Sequence, residues 1–191
     1  EPAPGTATVE DLIRYSAEDD RLYELVDGTL VEKAMGWQES LLGGLLLHWL
    51  HDYLEKHNLG EVVGADAFMR LFSDTVRAPD VAFVSWERLP GGRLPTQPVP
   101  DIVPDFVIEV LSTGNTYGEM SRKRREYFHA GVRLVWMVHP RQRTITVYTS
   151  AQEFTVVKDD ERITGGDVLP GWSFHTADFF SRLDREAPPK S

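Results

Sequence analysis

Cysteine is absent from all 191 residues, which excludes disulfides and thiolate-bound zinc and suits a reducing compartment, the cytoplasm by default. No apolar run is long enough to span a bilayer, so no membrane partner is expected. Positive charge is scarce: 20 Lys and Arg against 30 Asp and Glu leave a formal net charge of −10. That balance argues against a protein that coats nucleic acid, because phosphates are neutralised by Lys and Arg. A nuclease stays compatible with it, since a metal ion offsets an acidic site locally and a basic patch can coexist with an acidic whole. Internal repeats and low-complexity segments are also missing. What remains is one domain over 1–191, with 1–7 and 187–191 expected to be flexible.

Two short strands each carry an acid where an apolar residue would be ordinary. In Val103-Pro104-Asp105-Phe106-Val107-Ile108-Glu109-Val110-Leu111-Ser112 the near-continuous apolar pattern predicts a central strand covered on both faces. An ionised Glu109 there costs free energy unless a metal or a base pairs with it. Upstream, Asp80 opens Asp80-Val81-Ala82-Phe83-Val84 directly after Pro79. Opposed residues on neighbouring strands lie roughly 5 Å apart at Cβ, close enough for two carboxylates to share a divalent cation. Asp105 does not compete, because it sits four residues from Glu109 on one strand, roughly 13 Å away.

Around these strands the pattern predicts a short helix capped by Thr8, with Glu10 and Asp11 in its first turn. A hairpin follows over 22–32, turning at Asp27-Gly28. A long, mostly core helix runs from Gln38 to about His57, with Gly43-Gly44 positioned for close packing. Strands are expected near 61–64, 67–72, 80–85 and 105–111, with a loop over 90–100 between the last two. A helix from about Tyr117 to His129, stopped by Gly131, carries the one dense basic cluster, Ser121-Arg122-Lys123-Arg124-Arg125. Strands over 133–138, 144–148 and 153–157, a turn-rich stretch over 165–171 and a final helix around 177–183 complete the chain. His48 and His51 lack a His-Glu-x-x-His pattern and read as surface residues. The five tryptophans do not cluster in sequence, so they support no stacking platform for single strands.

Helix, three strands, helix, strand, with Pro79-Asp80 and Glu109-Val110-Leu111, resembles the PD-(D/E)XK nuclease superfamily. The wider pattern is similar to the Uma-type family of restriction endonucleases: Tyr23-Glu24-Leu25-Val26-Asp27-Gly28, Arg77-Ala78-Pro79-Asp80-Val81, Pro104 to Ser112, Lys123 with Tyr127, Gly131-Val132 with Trp136, and Leu169-Pro170-Gly171. The resemblance implies an α/β fold, a restriction-endonuclease-like core whose mixed central sheet is flanked by helices, with an N-terminal hairpin and extra C-terminal strands. It further implies a Mg²⁺- or Mn²⁺-dependent endonuclease acting on DNA, duplex DNA by expectation, with Asp80 and Glu109 as metal ligands. The sequence departs from the superfamily motif at Leu111, which stands where a lysine is usual. Lys123, on the following helix, is the substitute expected to position the attacking water. Replacing it with alanine is expected to abolish cleavage and spare the fold.

Glu24 is a candidate further acid or a holder of that lysine, and Glu39 a candidate extra acidic ligand. Arg122, Arg124 and Arg125 are candidate contacts for the DNA backbone. Each has a plainer reading beside it: Asp80 as a strand cap binding an amide, Glu109 as an ion pair, Lys123 as a solvated base, Glu24 as a solvent-facing hairpin residue, Glu39 as an acid favoured at a helix start. The missing motif lysine and the acidic charge also fit a catalytically silent domain that serves binding or assembly. Trp136, Phe154, Trp172, Phe174, Phe179 and Phe180, many aromatics for so small a domain, suggest a homodimer, as suits an enzyme that cuts both strands.

Overall fold

The computed structural model describes residues 2–18, 21–33 and 36–187. Glu1 and 188–191, parts of the segments expected to be flexible, lie outside the described residues. The remainder of the N-terminal segment lies on the hairpin: Gly5 N donates to Thr29 Oγ1 (3.0 Å) and Ala7 N to Gly28 O (2.8 Å).

The helix α1 (Val9–Glu18) is capped as expected, Thr8 Oγ1 accepting from Asp11 N. Strands β1 (Tyr23–Val26) and β2 (Thr29–Glu32) form the expected hairpin. Both turn residues have positive φ, 46° at Asp27 and 66° at Gly28, as a type I′ turn requires. Gly28 is also needed for space, since a Cβ there would stand 2.8 Å from the backbone of Gly5. The helix α2 (Trp37–His57) follows, buried along Leu42, Leu46, Leu50 and Leu54.

The next strands are β3 (Gly60–Gly64), β4 (Met69–Phe72), β5 (Thr75–Arg77), β6 (Val81–Ser85) and β7 (Phe106–Val110). The helix α3 (Tyr117–Ala130) then leads to β8 (Leu134–His139), β9 (Thr144–Tyr148) and β10 (Phe154–Val157). Six strands form the central sheet in the order β10-β9-β8-β7-β6-β3. Its one parallel pair is β7 with β8, joined by α3, the crossover a parallel pair demands. Thr116 and Glu119 close a capping box at the start of α3, and Gly131 ends it at φ 106°. The mixed sheet flanked by helices is the architecture the sequence implied.

The sequence reading differs from the structure in two places. First, β4 leaves the central sheet and, with the three-residue β5, extends the hairpin into a second sheet, β2-β1-β5-β4. Three residues give too little pattern to announce a strand. Second, the turn-rich stretch over 165–171 lies within a ribbon of β11 (Arg162–Gly165) and β12 (Leu169–His175). Its register shifts at Gly165, and the Gly and Pro residues of that bulged pair carry a loop-like composition. Short α4 (Thr176–Phe180) and a 3₁₀ turn close the described chain.

Side-chain alternation along β7 divides the interior. Phe106, Ile108 and Val110 join the core under α2 with Trp136, Trp172, Phe179 and Phe180. Val107 faces the other way, with Tyr127 of α3, and Glu109 shares that face by its period of two. The aromatics that argued for a homodimer are largely used inside the chain. Trp136 stacks on Trp172 at 5.4 Å, Phe106 meets Trp136 edge-on at 4.9 Å, and of the six only Phe154 is exposed.

Candidate active site

Three elements bring acids and bases together at the carboxyl end of β7. The antiparallel register of β6 on β7 pairs Val81 with Ile108 and Ala82 with Val107, and one further step sets Asp80 opposite Glu109. Asp80 Oδ2 accepts from Val110 N at 2.7 Å, tying the two strands at that point. From the second sheet, Leu25 pairs with Val76, so Glu24 arrives beside Arg77 and the turn into β6. From above, α3 sends down Lys123 and Tyr127, one turn apart.

Lys123 is 4% exposed, so it is no solvated member of a basic face. Its Nζ lies 3.1 Å from Glu24 Oε1 and 3.4 Å from Glu109 Oε1. Of the carboxylates expected around it, Glu109 is in contact, while the second contact is Glu24 rather than Asp80. Tyr127 completes the clamp by donating its hydroxyl to Glu109 Oε1 at 2.5 Å. Glu24 also receives Arg77 on Oε2 (2.8 Å) and the Ala78 amide on Oε1 (3.1 Å). Arg77 turns its other edge to Glu126, which in turn holds Arg122.

Each acid responds differently to this setting. Burial pushes Glu24 up, but Lys123, Arg77 and the Ala78 amide outweigh it and hold the carboxyl below its ordinary value. Burial likewise pushes Glu109 up, and there it prevails: Lys123 and Lys33 pull down, Asp80 and Glu24 push up, and the carboxyl ends above the usual range. Burial alone would lower Lys123, yet Glu109 and Glu24 more than compensate and keep it protonated. Tyr127 is raised by burial and by the same two carboxylates, so its phenol stays a donor.

Lys33, which sequence reasoning missed, occupies the remaining side. Its Nζ stands 2.8 Å from Asp80 Oδ1 and donates to Ala78 O. A lysine just past a hairpin strand reads as solvated, and only the return of the chain through β5 reveals its partner. Glu24, Lys33, Arg77, Asp80, Glu109, Arg122 and Lys123 border a cavity of about 410 Å³, which Glu39 also lines. Glu39 folds back towards Gly36 at the start of α2. Gly43 brings α2 close here, since an added Cβ would lie 4.0 Å from Asp80 Cβ. Asp105 is occupied elsewhere, accepting from Ser85 N and pairing with Arg88.

The three arginines do not form one surface. Arg122 borders the site cavity and pairs with Glu126 and Asp27; Arg124 lies over the Tyr148 ring in an adjoining groove; Arg125 is exposed and bonds Ser121. That groove, about 530 Å³, shares Glu39, Ser112 and Asn115 with the site cavity.

Whether a divalent ion suits the site turns on its donors. Among the described residues, no three His, Cys, Asp or Glu side chains stand together as a ready cage. Asp80 and Glu109 do supply hard oxygens from facing positions, and no hydrogen bond from the described residues reaches Glu109 Oε2. Two carboxylates, with waters and substrate phosphate completing the shell, are the usual protein share for Mg²⁺. The donor set therefore fits.

The chain matches, over residues 9–178, the family model Uma2, described as "Putative restriction endonuclease". Among solved structures it is similar to one titled as a putative nuclease belonging to DUF820 from Anabaena variabilis ATCC 29413. The two share 20% identity at a TM-score of 0.77, over 92% of this chain and 98% of the other. No curated protein matches in sequence.

Arg77 is 3% exposed and answers both Glu24 and Glu126, so Arg77→Met leaves buried carboxylates short of a partner. We expect about 3 to 5 kcal/mol of destabilisation near neutral pH. Because the Glu24 value is depressed by its cations, the benefit of Arg77 exists above the unfolded-state carboxyl range and fades as pH falls through the folded value. Urea unfolding of both proteins from pH 7 to pH 3 should therefore show a narrowing gap. A constant gap would remove Glu24 ionisation from the account.

Proposed function

The chain belongs to the Uma2 family of restriction-endonuclease-like proteins, and from that premise we propose that it is a metal-dependent endonuclease hydrolysing DNA phosphodiester bonds. One observation carries the reading: two carboxylates from adjacent strands, Asp80 and Glu109, border the same cavity as a buried, charged lysine.

Asp80 and Glu109 would hold Mg²⁺ or Mn²⁺, which lowers the pKa of a bound water and stabilises charge on the phosphate. Lys123, pinned by Glu24 and Glu109, orients that water or meets charge developing on a phosphate oxygen. Tyr127 fixes Glu109 by its hydroxyl, so the carboxylate has little freedom to turn away. Glu24 acts through Lys123 as a positioning residue, the role its contact with Nζ supports. Glu39, which lines the cavity, is placed to add a ligand only by turning away from Gly36. Of the arginines, exposed Arg125 and groove-lining Arg124 are the better candidates for the DNA backbone, since Arg122 is engaged by acids of its own chain. Duplex DNA is the substrate we infer, and the cysteine-free composition supports a cytoplasmic setting.

A second reading draws on a specific observation as well. Every acid of the cluster already has a basic partner in the chain, which is what a silent domain retained for binding or assembly would also look like.

Burial changes the choice of test. Lys123→Ala, expected from sequence to spare the fold, would leave Glu24 and Glu109 without their shared cation, at a cost of order 3 to 5 kcal/mol. Glu109→Gln is cleaner, because Lys123 keeps Glu24 and the amide oxygen still accepts from Tyr127. We expect wild-type protein to nick supercoiled plasmid with Mn²⁺ and not with EDTA, and Glu109→Gln to lose about 100-fold or more in rate. Equal nicking by the variant would remove Glu109 from the chemistry, and no nicking by the wild type would favour the silent domain.

For the homodimer, what remains in support is β10, an edge strand with Phe154 59% and Val156 42% exposed. Such an edge invites pairing with a second copy. Light scattering should then report twice the 21.6 kDa chain mass, and a monomer at high concentration would end that part of the proposal.

A further inference from the structure

Lys33 differs from Lys123 in how firmly it is held. Lys123 bridges two carboxylates and receives no relief from solvent. Lys33 has one carboxylate oxygen, Asp80 Oδ1 at 2.8 Å, and one backbone carbonyl, Ala78 O. Its main chain is fixed, Lys33 N donating to Leu22 O at 2.8 Å, but four rotatable methylene bonds separate that anchor from the ammonium. The side chain is 9% exposed and borders the site cavity, so an exit lies beside it.

Asp80 has a constrained set of free positions. Oδ2 is taken by Val110 N, which holds the carboxylate plane against β7, and Oδ1 carries the ammonium. An ion coordinating Asp80 from the cavity, at about 2.0 to 2.5 Å from oxygen, would stand within a few ångströms of Lys33 Nζ. Two like charges at that spacing repel strongly in a partly desolvated site.

We propose that Lys33 is a resident counter-ion of Asp80, occupying the place of the divalent cation and competing with it. The inference rests on the metal-binding reading given above and adds a control that this reading does not contain. Lys33 neutralises Asp80 beside Glu109 while the site is empty of metal, so the two acids tolerate each other without it. The same contact lowers metal affinity, because the ammonium must leave Oδ1 as the ion arrives. Once displaced into the cavity, Lys33 stays available to meet the negative charge of a nucleic-acid phosphate, which links substrate arrival to metal retention.

Calorimetric titration of Mn²⁺ into wild type, Lys33→Met and Lys33→Gln, without nucleic acid, tests this directly. Glutamine keeps a donor for Asp80 and Ala78 O without charge, so it serves if methionine disturbs folding as judged by circular dichroism. Removing the competing charge should tighten Mn²⁺ binding about tenfold or more in each folded variant. Lys33→Arg, which keeps the charge, should stay near wild type. Equal or weaker binding by the neutral variants overturns the proposal while leaving the metal site standing. Binding by the neutral variants alone supports it most strongly. Failure of all four proteins to bind Mn²⁺ overturns both the proposal and the metal reading on which it rests.

Discussion

A lysine below the surface, shared by two glutamates, is the contact on which the other features of the site depend. Lys123 costs free energy to bury, as do Glu24 and Glu109, and each is tolerable only because the others are in place. The strength of such an array lies in its mutual dependence. Five acids, Glu24, Asp27, Asp80, Glu109 and Glu126, pair with four bases, Lys33, Arg77, Arg122 and Lys123. Each of these acids therefore has a basic partner before any metal arrives, and a divalent ion would find its fullest compensation when a phosphate enters with it.

Three separate pieces of topology converge to build it. Alternation on β7 turns Glu109 towards α3 while its neighbours Ile108 and Val110 feed the aromatic core. The parallel β7-α3-β8 crossover lays α3 across that face, with Tyr127 one turn from Lys123. The second sheet, through β1 and β5, delivers Glu24 and Arg77 as a pair and hands the chain directly to Asp80. Loss of the hairpin would thus reach the site through Glu24, although the hairpin carries neither of the proposed metal ligands.

Asp80 and Glu109 were legible in the sequence because each breaks a local pattern, an acid after a strand-opening proline and an acid inside an apolar strand; Lys123, one of four consecutive bases, stood out only through the family resemblance. Helices α1, α2 and α3 were legible from periodicity, caps and Gly131. What stayed hidden depends on contacts between residues far apart in the chain. Glu24 meets Arg77 across 53 residues and Lys33 meets Asp80 across 47, and no local pattern encodes either meeting. The three residues of β5, which create both, are too few to show alternation. The tryptophans are dispersed in sequence, yet Trp136 and Trp172 stack in space because the β11-β12 ribbon folds back onto the sheet, and the glycines and proline of that ribbon hide it from a local pattern.

If the cluster is a metal site held ready by its own bases, an ion entering it must both find the strand-borne acids and move a lysine. Anomalous diffraction from crystals grown with Mn²⁺ would show both at once. The account predicts one strong manganese peak in contact with Asp80 and Glu109, with Lys123 still on Glu24 and Lys33 Nζ withdrawn from Asp80 Oδ1. A map with manganese elsewhere, and Lys33 still seated on Asp80, would contradict it.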